Sequence, residues 1–119
     1  MSLKPILQKR VYEKANDKDG KRILVERLWP RGLRKEEARI DEWPKDIAPT
    51  PELRTWYSHD PNKWPEFKKR YWNELRSKDD IVSILAKESK ENKVTFLFGS
   101  KEEKLNSAAA LKKYIENYC

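Results

Sequence analysis

Lys93-Val94-Thr95-Phe96-Leu97-Phe98 is the stretch that most narrows what this chain can fold into. After its first residue it carries no charge, and its β-branched and aromatic side chains suit a pleated surface. A strand that alternates apolar and polar residues leaves one face wet, whereas a near-continuous apolar strand has to be covered on both faces. Such a strand belongs at the centre of an α/β sheet, and the flanking sequence supplies helices to cover it.

Two further strands are expected. Pro5 to Tyr12 mixes β-formers with alternation, and Arg22 to Leu28 contains the short buried-type run Ile23-Leu24-Val25. Asn16-Asp17-Lys18-Asp19-Gly20 between them is a turn, rich in residues that tolerate left-handed or self-bonded backbone. The spacing permits either a hairpin with a loose loop or a crossover onto separate sheet positions. One or two helical turns fit Lys35 to Ile40, before Trp43-Pro44 breaks the pattern.

Helix signals then dominate. Thr50 is an N-cap with Pro51 at the first helical position, and Ser58-His59-Asp60-Pro61 ends that short helix. From Pro61 to about Ser77, Trp64, Phe67, Tyr71 and Leu75 share one helical face. Rings at that spacing are core rather than a base-stacking platform. Asp79 to about Lys90 forms another helix with Ile81, Ile84 and Leu85 on one side and acidic residues at its start. After the apolar strand, Ser100 with Glu103 fits a capping box opening a last helix that runs to about Tyr118, with Ala108, Leu111, Ile115 and Tyr118 in one stripe. The fold class expected is α/β: a single small domain over residues 1–119, with a short, mostly parallel sheet and helices packed on it.

Composition tests whether such a chain is ordered at all. Charged residues make up 39% of the 119 residues and hydrophobic ones 37%, a balance that approaches disorder. Five Trp, five Tyr and three Phe argue for a core built largely from rings. Lys and Arg exceed Asp and Glu by 27 − 20 = 7, so polyanions are a natural class of partner. Because the lysines are interspersed with acids rather than blocked together, charge alone does not establish nucleic-acid binding. The single cysteine, Cys119, excludes an intramolecular disulfide and a cysteine-based metal site. Without a transmembrane run or a signal-peptide pattern, the expected location is the cytoplasm, with no membrane partner. Oligomeric state is not legible, and no cofactor is expected.

The segment Arg27-Leu28-Trp29-Pro30-Arg31-Gly32-Leu33 places two guanidinium groups around an aromatic turn directly after a strand. Arginine offers a planar fork matched to phosphate or carboxylate. If the strand is internal, the turn lies at its C-terminal end, where open α/β folds place ligands. Arg27 pairing with an internal carboxylate is the structural alternative. Neither a Walker loop nor a dinucleotide fingerprint is present among the three glycines.

With these residues laid out, the chain resembles the YeaO-like family, also called domain of unknown function 488. The resemblance rests on Asp19-Gly20, the Arg27–Leu33 segment, Trp43 with Lys45-Asp46-Ile47-Ala48-Pro49, and Leu53-Arg54 with Trp56. It continues through His59-Asp60-Pro61, Trp64, Phe67, Arg70-Tyr71, Glu74-Leu75 and the strand from Thr95 to Phe98. It implies a single-domain bacterial or archaeal cytoplasmic protein and points to no particular reaction. Family members usually carry an Asp-Glu-Glu-His-Asn-His type of segment after the last strand. Here Leu105 and Ser107 stand at the histidine positions and only Asn106 is retained. If those histidines carry chemistry in relatives, this chain has lost it or does something else.

The candidate ligand-binding residues are therefore Arg27, Trp29, Arg31, His59, Ser100 and Asn106. His59 is the one imidazole available, and so the candidate catalytic residue if the protein is a hydrolase or transferase. The turn at Gly99-Ser100 precedes a helix whose free N–H groups can receive an anion. If it shares a sheet edge with Arg27 and Arg31, then Ser100, Lys101 and Asn106 face the arginines across a cleft. The leading expectation is a small phosphate-bearing or other anionic ligand held at the arginine turn. The alternatives are a nucleic-acid module using basic faces with Trp29 or Trp56, and an enzyme assisted by His59.

Overall fold

Three strands, β1 (Leu7–Arg10), β2 (Lys21–Leu24) and β3 (Val94–Phe98), make one sheet in the order β1-β3-β2 in a computed structural model that describes residues 6–118. Both outer strands run parallel to β3, with Leu7 opposite Thr95 and Lys21 opposite Val94. The strand read as the centre of the sheet is the centre, and all five of its residues are buried. The hairpin is thereby ruled out: β1 and β2 are separated by β3, and residues 11–20 carry the chain back to begin β2. Each outer strand is shorter than its apolar run, although Val11 and Val25 still donate N–H bonds to Phe98 and Leu97. Pro5, placed at the start of the first expected strand, and Cys119 lie outside the described residues.

Side-chain alternation divides the buried residues between two faces. Ile23, Val25, Val94, Phe96 and Phe98 join the larger core, made with α2 (Pro51–Tyr57), α3 (Trp64–Leu75), α4 (Asp79–Glu91) and α5 (Ser107–Glu116). Val11, Leu24 and Leu97 point the other way, under Trp29, Leu33, Ile40 and Trp43. The short helix α1 (Lys35–Ala38) lies within that second cover. The aromatic segment around residue 29 thus roofs the sheet's second face. On α3, Phe67, Tyr71 and Leu75 are buried and Trp64 packs partly against them, as expected of a core stripe.

Two element readings are corrected. The inner face of α4 is Val82, Leu85, Ala86 and Ser89, while Ile84 is 57% exposed. Those four positions recur at the three-to-four spacing of a helical face, and Ile84 falls off it. The last helix begins at Ser107, not after Ser100. Asn106 accepts the Ala109 N–H at 2.9 Å as the true N-cap, and the Glu102 carboxylate accepts the N–H groups of Lys104 and Leu105 in the preceding loop. A carboxylate satisfied by nearby backbone donors competes with helix initiation, and here it delays the start.

At the N-terminal end of the sheet, charge is buried for a structural reason. Arg22, only 4% exposed, donates to Asp19 Oδ2 at 2.5 Å and to the Ala38 carbonyl at 2.8 Å. Lys9 reaches both Asp19 oxygens at 3.2 Å, and Thr95 Oγ1 donates to the Asp19 carbonyl. One residue on, Gly20 has φ +67°, and a Cβ there would lie 2.3 Å from the Lys93 carbonyl oxygen, so no side chain fits where β2 meets β3. Burial pushes the Asp19 carboxyl up, but the Asn16 N–H, Lys9 and Arg22 outweigh it and hold it below its ordinary value. Its stabilising contribution is therefore complete above the ordinary carboxylate range and is lost as pH falls through the lowered value. Asp19→Asn leaves Arg22 buried without a counter-charge and is expected to cost about 3 kcal/mol at neutral pH. Urea denaturation across a pH series should show this deficit shrinking in acid; a deficit independent of pH would contradict the assignment.

Candidate functional site

Because all three strands are parallel, their C-terminal ends meet along one edge, and the cleft of about 410 Å³ lies there. Its lining includes Glu26 just past β2, Ser100 just past β3, and Asn106 and Ser107 at the start of α5. Arg54, Tyr57, Ser58 and His59 come from α2 and the turn that ends it. Pro49, Pro51 and Phe67 provide apolar wall.

Each wall is fixed by hydrogen bonds between segments distant in the chain. The Trp43 indole N–H donates to the Glu26 carbonyl at 2.6 Å and holds the chain where it leaves β2. Thr50 caps α2 by accepting the Leu53 N–H, and in turn donates through its own N–H and hydroxyl to the two oxygens of Glu74 on α3. The Tyr57 hydroxyl donates to the Leu105 carbonyl at 2.7 Å, tying the end of α2 to the loop before α5, while its ring stacks on Phe67 with centroids 4.2 Å apart. Arg10 Nε donates to the Ser100 carbonyl at 2.9 Å and anchors the opposite wall to β1.

Helix α2 ends in two successive left-handed residues, Ser58 (φ 46°) and His59 (φ 57°). Neither is glycine, so each costs on the order of 1 kcal/mol of backbone strain. The turn they make sets His59 on the same rim as Arg54. Glu26, partly buried, lines the same cleft, and its Oε1 accepts the Ser107 hydroxyl at 3.2 Å. Burial pushes the Glu26 carboxyl above its ordinary value, against the opposing pull of Arg54, the Ser107 hydroxyl, His59 and the Gly99 amide. The cleft therefore brings the Arg54 guanidinium and the His59 imidazole to the same lining as one partly buried carboxyl.

Of the residues read from sequence, His59, Ser100 and Asn106 come together here. Asn106 is 4% exposed and its amide is already engaged, accepting from Ala109 and donating to the Glu102 carbonyl. Ser100 Oγ accepts the Glu102 N–H. Arg27, Trp29 and Arg31 do not line the cleft. Arg27 donates to the Ala48 carbonyl at 3.2 Å and lies 3.8 Å from Asp46, the internal-partner alternative. Trp29 meets Trp43 edge to face and donates its indole N–H to the Leu33 carbonyl. Arg31 is exposed, and its carbonyl accepts the Tyr12 hydroxyl. Glu26, Arg54 and Ser107 were missed. In a chain so rich in charge nothing in the local pattern marks the first two, though an acid directly after Ile23-Leu24-Val25 is the one available hint.

The fold is thus a small parallel α/β domain with a polar cleft at the carboxyl edge of its sheet. The chain belongs to the family described as the inactive DUF488-N3 subclade, whose model matches residues 5–119. It is 37% identical over 109 residues to the uncharacterized protein YeaO of Escherichia coli, covering 92% of this chain and 95% of that one. It is 45% identical over 75 residues to uncharacterized proteins of Mycobacterium tuberculosis and Mycobacterium bovis, covering 63% of this chain. That match spans 64% of the length of the mycobacterial relatives. No solved structure gives a significant match. Among the described residues no helix is long and apolar enough to cross a membrane, and no three His, Cys, Asp or Glu side chains converge as metal ligands.

The raised Glu26 carboxyl has a stability consequence. Its folded-state value lies above the unfolded one, so the protein is favoured while the group is protonated and loses stability as pH rises from the ordinary 4.5 through the raised value. Glu26→Gln, uncharged throughout, should be more stable than wild type at neutral pH, with the two curves converging in acid. Thermal melts across that range decide it; a variant less stable at pH ~7 would mean that burial is not what governs this carboxyl.

Proposed function

We propose that this protein binds a small phosphate-bearing or similar anionic ligand in the cleft without turning it over, with Arg54 and His59 as the charge partners. The observation that carries this reading is the placement of those two side chains together in the lining of an open cleft at the C-terminal edge of a parallel sheet. Open α/β sheets bind ligands at that edge, and about 410 Å³ lies within the usual range for small-molecule sites. The strained Ser58-His59 turn supports it further, since non-glycine left-handed residues tend to persist where function needs them.

Absence of turnover is supported by the family's description as inactive and by Leu105 and Ser107 at the histidine positions of relatives. The arginine turn passes its expected role to Arg54, because Arg27 is engaged with the 46–48 segment and Arg31 stands outside the cleft. A charge-assisted hydrogen bond contributes about 1.5–3 kcal/mol, so Arg54→Ala should weaken binding of inorganic phosphate or a nucleoside monophosphate by roughly tenfold or more. Arg31→Ala should leave it unchanged. Isothermal titration calorimetry on the two variants checks this. A response to oligonucleotides alone, collapsing with salt, would replace the reading with nucleic-acid binding.

A further inference from the structure

An anion held by Arg54 and His59 has to share the cleft with a carboxylate. That carboxylate is Glu26, and the groups facing it come from four directions. Arg54 and His59 act on it from α2 and its terminal turn, Ser107 Oγ donates to it from α5, and the Gly99 amide lies beside it after β3. The fourth is Tyr71 on α3, which senses the Glu26 charge but donates its own hydroxyl to the Ile47 carbonyl at 2.7 Å. A carboxylate has about four lone-pair sites, and Ser107 and Gly99 account for two. Glu26 also lines the cleft, so acceptor capacity remains on the side where a ligand enters.

Resting on the reading of this cleft as an anion site, we infer that Glu26 selects which anion enters: an oxyanion that still carries an O–H, such as hydrogen phosphate or a singly protonated phosphomonoester, in preference to one that carries none, such as sulfate. The two anions have nearly the same size and tetrahedral shape, so Arg54 and His59 cannot tell them apart. Glu26 can. Hydrogen phosphate donates its O–H to the carboxylate in a short charge-assisted bond, which turns a like-charge contact into an attraction. Sulfate has only lone pairs to present to lone pairs, so its contact with the carboxylate stays a like-charge repulsion. The partly buried carboxylate thus works as a proton-detecting filter beside the Arg54 guanidinium, and no bond is made or broken.

The test is calorimetric titration at pH ~8, where carboxylates are ionised, of inorganic phosphate and of sodium sulfate into wild type and Glu26→Gln. Wild type should bind phosphate about tenfold or more tightly than sulfate, the scale of one charge-assisted hydrogen bond. In Glu26→Gln the carboxamide can donate N–H to either anion, so sulfate should gain affinity and the ratio should fall to near one. The wild-type ratio reads the proposal by itself if the variant does not fold. Equal binding of the two anions by wild type, or an unchanged ratio in Glu26→Gln, would overturn the role of Glu26 and leave the anion site standing. Failure of both anions to bind either protein would remove the anion site and this inference with it.

Discussion

Everything in this molecule is hung on the two-sided hydrogen-bond ladder of β3. A strand buried on both faces and paired on both edges has no freedom left, and it imposes its direction on its neighbours. Since both neighbours run parallel to it, their carboxyl ends are brought to one edge. Glu26, Ser100 and the start of α5 follow from that geometry, and Arg10 binds the Ser100 wall back to β1. The opposite edge holds the Arg22–Asp19–Lys9 cluster, which ties β1 to the start of β2.

The cleft wall that does not come from the sheet is held at longer range. Thr50 links α2 to Glu74 on α3, and Tyr57 links the far end of α2 to the loop before α5. The rim carrying Arg54 and His59 is therefore clamped at both ends of a seven-residue helix. A short helix without such clamps would not hold its own turns, because isolated helices below ~12 residues are marginal in water. Trp43, which closes the second face of the sheet, also fixes the Glu26 main chain, so the packing of one face reaches the site on the other.

Much of the fold could be read from residues. The central strand, the caps at Thr50 and Asp60, and the Phe67-Tyr71-Leu75 stripe are local signals, and local signals survive into the structure. What could not be read depended on distant partners. Ile84 looks like a core residue until the rotation of α4 is known, and Ser100 looks like a helix cap until Glu102 is seen to take up the loop's N–H groups. The cleft was harder still. Arg54, His59 and Glu26 line it from separate parts of the chain, and only the tertiary fold gives those residues one address.

The strand order also dictates when this protein can take shape. β1 and β2 lie next to β3 and never next to each other, and Leu7 finds its partner in Thr95. During synthesis the first two strands therefore emerge with no strand to pair with, and they wait until Val94–Phe98 has been made. Sheet formation is a late and largely all-or-none event, with a long loop to close before any pairing is rewarded. Until then the apolar runs on either side of Asp19 are open to other chains, and the high density of charge around them serves as their protection.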